Sequence, residues 1–186
     1  MKPKRKILVY VATSADGYIA RGDGSVDWLN RPRTAGDYGM GAFFRTIDTI
    51  LWGRKTYEQS ASTGGGGSFG PKVKNYVFSH QPPTSQPPSG VEFINEPIGA
   101  FAKRLRAESG KDAWIMGGGG LIASFLDAGE IDEFIINMIP TFIGEGIPLI
   151  HLRRRSVELA LLSSRRFSDG VVRLHYRVKT RDTIPG

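Results

Sequence analysis

Trp114-Ile115-Met116-Gly117-Gly118-Gly119-Gly120-Leu121-Ile122 decides the reading of this chain: a short apolar strand runs into four glycines and straight on into an apolar-periodic helix. Residues without a Cβ let the backbone approach a ligand closely, and the free N–H groups and positive end of the following helix favour a diphosphate. A plain strand-to-helix turn needs only one or two glycines; four in a row, each costly in backbone entropy, point to a ligand. What is missing narrows that ligand. No Lys-Ser/Thr follows the run, so a nucleoside-triphosphate P-loop is excluded. Gly118-x-Gly120-x-x-Ala123 fits the spacing of a dinucleotide fingerprint, but the next strand, near Phe134 to Ile139, ends without an acid for a ribose hydroxyl.

Outward from this turn, further strands lead into further polar turns. Ile7 to Ala12 is a continuous apolar run, the mark of a strand buried on both faces and hence of the sheet centre. Thr49-Ile50-Leu51-Trp52 delivers Gly53-Arg54-Lys55-Thr56 at its end, a second cradle with close backbone approach, one hydroxyl and two cations suited to a dianionic phosphate. Asn75 to His80 is a strand whose terminal Ser79 and His80 also suit phosphate. Val91 to Ile94 reads as a short strand, and Ile98, Phe101, Ala102 and Leu105 as a helix stopped by Gly110. Leu121, Ile122, Phe125 and Leu126 form the inward face of the helix after the four glycines. The tail differs: Val157 to Leu161 and Val171 to Val178 flank the turn Ser168-Asp169-Gly170 and predict an antiparallel hairpin. The expected fold is α/β, a mostly parallel central sheet with a C-terminal antiparallel hairpin, flanked by helices.

Composition bounds the function. The 186 residues, 40% of them hydrophobic, suffice for one core, so residues 1–186 are expected to form a single domain. With no cysteine there is no disulfide framework, thiol nucleophile or Cys-based metal site, which fits a cytoplasmic protein; no metal is expected. The basic start, Lys2 to Lys6, leads into an apolar run too short for a signal peptide, and no stretch approaches a membrane span. The net charge of +7 is spread over local clusters with no nucleic-acid reading motif, so its expected role is a basic surface that attracts a phosphorylated ligand, not nucleic-acid binding.

Three loops carry the remaining candidates. Thr13 to Asn30 is a long glycine-bearing connection with Asp16, Asp23, Asp27 and Trp28, of a length that is usually functional and often a lid. Met40, Phe43, Phe44 and Ile47 predict an amphipathic helix from about Asp37, where an acid also complements the helix dipole. Gly64 to Gly67 reads as a surface loop.

Five motifs in order, Ser14-x-Asp16-Gly17-Tyr18-Ile19-Ala20, Asp27-Trp28-Leu29, Gly53-Arg54-Lys55-Thr56-Tyr57-Glu58, Met116-Gly117-Gly118-Gly119 and Gly144-x-Gly146-x-Pro148-Leu149, resemble the dihydrofolate-reductase-like fold. Within it the chain looks most like the reductase domain of the bifunctional riboflavin-biosynthesis deaminase-reductases, from Ile7 to Val178. The resemblance implies an NADPH-dependent reductase that passes hydride to a pyrimidine, such as 5-amino-6-(5-phosphoribosylamino)uracil, or to a pterin. The alternatives are a nucleotide-binding regulatory module without turnover and dihydrofolate reductase proper. It further implies that Gly53, Arg54, Lys55 and Thr56 hold the adenosine side, Ser79 and His80 the 2′-phosphate, and Gly117, Gly118, Gly119, Gly120 and Leu121 the diphosphate. The nicotinamide falls near Ala12, beneath a lid carrying Asp16 and Trp28 as substrate contacts. Asp37, sixteen residues before Gly53, is the implied proton donor and Asp27 its runner-up; a partly buried carboxyl with a raised pKa is expected there. Arg31, Arg33 and Arg153 to Arg155 are candidates for a substrate phosphate. A homodimer is expected by resemblance, whereas the zinc deaminase half, which needs paired cysteines, is absent from this chain.

Overall fold

Successive side chains of a strand point to opposite faces of the sheet, and the computed structural model shows where each set goes. It describes residues 4–32, 36–62, 72–83 and 85–179; Arg33 and the Gly64 to Gly67 tract lie outside them. Strands β1 (Ile7–Ser14), β3 (Ile47–Gly53), β4 (Lys74–Phe78), β5 (Val91–Ile94), β6 (Asp112–Gly117), β7 (Glu133–Ile139), β9 (Leu159–Arg166) and β10 (Val172–Val178) form one sheet. Its order is β5-β4-β3-β6-β1-β7-β10-β9. Every pair from β5 to β7 is parallel, and β10 runs antiparallel to both β7 and β9, as the sequence predicts.

Ile7, Val9, Leu51, Ile115 and Phe134 face helices α3 (Ile98–Ala107) and α4 (Gly119–Asp127), where Phe101, Leu105, Ile122 and Phe125 complete a dry core. Leu8, Tyr10, Ile50, Trp52 and Trp114 face the other way, against Phe43 of helix α1 (Met40–Phe44) and Tyr57 of α2 (Arg54–Ser62). Fully burying each large apolar side chain contributes roughly 1.5–3 kcal/mol before chain entropy is set against it. β1 lies between β6 and β7, the sheet centre expected of its unbroken apolar run.

Three local readings need correction. The Thr13 to Asn30 connection is not structureless: it holds β2 (Tyr18–Ala20), paired with β8 (Ile147–Pro148), and a 3-10 turn over Asp27–Leu29. The helix expected from Asp37 to Ile47 is only one turn and begins at Met40, because Tyr38 and Gly39 have positive φ. The first strand of the closing hairpin, expected over Val157 to Leu161, instead runs from Leu159 to Arg166, since an edge strand can continue through polar residues.

Candidate active site

The parallel strands bring the carboxyl ends of β1, β3, β6 and β7 to one sheet edge, and a largely apolar cleft of about 400 Å³ opens there. Tyr10, Ala12, Trp114, Met116 and Asn137 line its strand side; Ile19, Ala20, Val26 and Leu29 come from the connection after β1. Asp37, Met40, Thr56, Gly117 and Gly118 complete the wall.

The two glycine turns meet. A Cβ on Gly53 would lie 3.5 Å from the Gly117 carbonyl, and one on Gly118 would lie 3.2 Å from Thr56 Oγ1. Gly117 and Gly118 have φ of +147° and +88°, conformations that residues with a Cβ rarely adopt, and they turn the chain from β6 into the start of α4. Their neighbour Gly119 has a different reason for being glycine. A Cβ there would sit under 3.0 Å from the Pro148 carbonyl, so Gly119 admits the 147–151 segment, and Gly146 admits the Ala20 carbonyl in the same way. Of the four glycines in the run, two border the cleft and one is a packing contact. Gly120 meets only the His151 ring, and Leu121 packs partly into the core beside Gly53.

Beside the turns, Arg54 is largely buried, its side chain 23% exposed. Its guanidinium donates to Ser79 Oγ at 3.3 Å, Gln81 Oε1 at 3.1 Å and Glu58 Oε1 at 2.7 Å. Ser79 therefore joins the Gly53 turn, as the sequence implies, and Gln81 is an addition that only the fold reveals. Lys55 and His80 are exposed.

The carboxylates behave otherwise than expected. Asp37 lies at the cleft rim, exposed, and accepts N–H bonds from Gly41 at 2.8 Å and Gly39 at 2.7 Å. Those bonds hold its carboxyl below the usual carboxylate range. Asp27 is also exposed and is held low by Arg21, 2.6 Å away. The expectation of a partly buried acid with a raised pKa is thus corrected at both positions: each is solvated and paired with donors. Asp16 is bound to the loop after β7 through the Ile143 and Gly144 N–H groups, and the Ser14 hydroxyl and those bonds lower its pKa. Trp28 does not line the cleft; it is buried against Ile139, Phe167 and Val171, plugging the connection onto the core.

One cleft feature escapes any reading of the sequence. Arg173 of β10 donates from Nε to Asn137 Oδ1 at 3.0 Å and from Nη2 to the Tyr10 hydroxyl at 2.7 Å; that hydroxyl donates to the Tyr38 carbonyl at 3.0 Å. Arg31 lines the cleft and donates to the Asp169 carbonyl at 2.7 Å, whereas Arg153 and Arg155 are paired with Asp127 on the surface. Only strand register brings Tyr10, Asn137 and Arg173 together, and no local pattern announces it. Among the described residues no group of three or more His, Cys, Asp or Glu side chains forms a metal site, and no helix is long and apolar enough to cross a membrane.

Comparison with known proteins agrees with this architecture. The model of the RibD C-terminal domain matches residues 98–173. The chain is 41% identical to the uncharacterized protein YwjB of Bacillus subtilis (strain 168), over 93% of this chain and 98% of that one. A crystal structure from Shewanella sp. PV-4, provisionally described as a riboflavin biosynthesis protein, superposes with a TM-score of 0.81 at 27% identity, covering 94% of this chain and 99% of that one. Dihydrofolate reductase from Enterococcus faecalis, complexed with NADP(H), shares the fold with a TM-score of 0.61 at 14% identity, over 94% and 97% of the two chains. The parallel sheet with its antiparallel finish, the paired glycine turns and these matches place the chain in the RibD C-terminal domain family, a reductase family of the dihydrofolate-reductase-like fold.

Proposed function

We propose that this protein is an NADPH-dependent reductase that transfers hydride to a pyrimidine or pterin-type ring. The observation that carries this reading is the meeting of the Gly53 and Gly117–Gly118 turns at the mouth of an apolar cleft, with Arg54 and Ser79 alongside. The residues present fit the cofactor. Gly117 has open space where a Cβ would project, the N-terminus of α4 supplies N–H groups for a diphosphate, and Arg54 faces the neutral acceptors Ser79 and Gln81 as well as Glu58. In this reading Gly53, Lys55, Thr56, Gly120 and Leu121 lie along the same cofactor path, and Arg54, Ser79 and His80 take a 2′-phosphate. When bound, the cofactor supplies the hydride.

The protein's own part is to hold the ring and supply the proton. The apolar wall from Ile19 to Leu29 excludes water over Ala12. Asp37, ionised at neutral pH, cannot store the proton; each of its oxygens has a lone pair left to orient a water at the rim, and a proton drawn from bulk solvent passes through that water to the ring, the water being reprotonated by solvent. A homodimer belongs to the proposal, since β9 is an edge strand exposing Leu159, Leu161 and Leu162.

Titration of the purified protein with NADPH and NADH tests the cofactor assignment. Arg54→Ala is expected to weaken NADPH binding by about tenfold or more and to leave NADH within about twofold. Equal loss of both would sink the 2′-phosphate assignment. NADPH oxidation with dihydrofolate and with the deaminated riboflavin-pathway intermediate then chooses the substrate; tight NADPH binding with no turnover of either would point to a regulatory module.

A further inference from the structure

Ala12, Asn137 and Arg173 form one row across three strands, β1 pairing with β7 and β7 with β10 at these residues. Asn137 is 4% exposed and lines the cleft. Its hydrogen bond from Arg173 Nε decides how the amide is turned, because a guanidinium N–H can meet only the amide oxygen. The amide nitrogen is left with both its N–H groups, and among the described residues no partner takes them. Nor is that nitrogen sealed in the interior, unlike Trp28 Nε1 and Arg106 Nε, which are buried without partners. Asn137 thus presents an unused donor pair to the cleft.

The surrounding groups reinforce this polarity. The Tyr10 hydroxyl is committed at both ends, accepting from Arg173 and donating to the Tyr38 carbonyl. Asp37 is the single acidic side chain lining the cleft among the described residues, and it stands exposed at the rim with backbone donors on both oxygens. Asp37 acts on Arg173 through its charge from the rim, but its hydrogen bonds go to backbone N–H groups, and among the described residues none reaches the Asn137 amide. A buried site built of donors rewards a ligand atom that accepts, and penalises an amino group that would leave two donors facing each other.

We infer that Asn137 is a substrate-binding residue whose amide N–H donates to a ring carbonyl, and that Arg173 is the positioning residue that holds this amide in its orientation. The cleft then selects a ring with an oxo group at that position over one with an amino group. This inference rests on the reductase reading, since it assigns the cleft to the substrate ring.

The test uses two rings of the same size and opposite polarity, uracil and 2,4-diaminopyrimidine, titrated by ligand-observed NMR at a pH where both are neutral, with and without NADPH. The wild-type protein is expected to prefer uracil by at least about tenfold. Asn137→Asp, which keeps an acceptor for Arg173 and replaces the donors with a second acceptor, is expected to reverse the preference. Asn137→Leu, the variant least dependent on charge, is expected to bring the two affinities within about threefold of each other. Arg173→Lys keeps a cation but cannot hold both Tyr10 and Asn137; the affinity ratio should fall toward one even where thermal unfolding shows the variant folded. An unchanged ratio in Asn137→Asp, a wild-type preference for the diamine, or failure of both rings to bind would overturn the inference. So would weakened NADPH binding in Asn137→Asp with the ring ratio unmoved. The wild-type NADPH titration separates the two levels: NADPH bound without ring preference defeats this inference alone, and no NADPH bound defeats the reductase reading.

Discussion

The two edges of the main sheet are built on opposite principles. At the carboxyl edge, β3 and β6 end in glycine turns that meet, and the cleft opens along β6, β1 and β7. At the amino edge the strand starts are tied down by charged side chains. Arg5, its side chain only 3% exposed, bonds Asp48 at 2.5 Å and Thr49 at 2.7 Å; Asp132 accepts the Ile7 N–H at 2.7 Å and pairs with Arg106 at 2.9 Å. Glu133 takes Lys6 at 2.7 Å and His175 at 2.8 Å, joining the N-terminal segment before β1 to β7 and β10. One edge pairs its charged side chains with one another across the strand starts, and the other leaves the Asn137 amide N–H groups without a partner among the described residues.

Substitutions at the two edges should therefore separate stability from binding. The largest effect is expected at the amino edge. Asp48→Ala leaves the buried Arg5 guanidinium facing only Glu108 at 3.7 Å among carboxylates, and should cost about 3 kcal/mol in denaturant unfolding with NADPH affinity unchanged. Comparable loss of NADPH affinity in a folded variant would show that the edges are not independent.

Next comes a contrast within the carboxyl edge. Gly119→Ala drives a Cβ against the Pro148 carbonyl and should cost about 2 kcal/mol of stability, lowering Tm by roughly 4–8 °C. Gly118→Ala has a flexible Thr56 hydroxyl as its near neighbour but demands a left-handed φ, at about 1–2 kcal/mol. Its larger consequence should be loss of NADPH binding. If Gly119→Ala proved the more damaging to binding and Gly118→Ala to stability, the division of the four glycines into cradle and packing contact would be reversed.

The smallest effect is a pH dependence. Burial works to raise the Glu133 pKa, but the hydrogen bonds from Lys6 and His175 outweigh it and the net shift is downward. A carboxyl whose folded pKa is depressed stabilises the fold above its unfolded value, about 4.3, and loses that contribution as pH falls through the folded value. Glu133→Gln should accordingly flatten the fall of stability below about pH 4.5, measured by urea unfolding from pH 6 to 3, while NADPH binding at pH 7 stays as in wild type. An unaltered slope would place the acid sensitivity in other carboxylates.

The same contrast separates what was legible in the residues from what was not. The Gly117–Gly118 turn, the Gly53-Arg54 turn and Ser79 were readable because each depends on a local pattern, an apolar strand running into residues of unusual backbone freedom or charge. The low pKa of Asp37 is not legible in the sequence, because the sign of a carboxyl's pKa shift depends on burial and partners. Asp37 looks like a helix-start acid by spacing, yet Tyr38 and Gly39 take positive φ and hold it outside the helix, in solvent. Gly119 reads as a ligand glycine by composition, and the Pro148 carbonyl that excludes a Cβ there lies far away in the chain.

The sequence by itself determined the strand-and-helix order, the buried strands, the closing hairpin and the location of the glycine turns, since periodicity, turn chemistry and backbone freedom act over a few neighbouring residues. Tertiary structure alone decided which glycines border the cleft, that Asp37 is held ionised, and that Tyr10, Asn137 and Arg173 lie together. Those outcomes depend on strand register, which brings together residues separated by up to 163 positions and settles whether a polar group meets a partner, water or an open cleft.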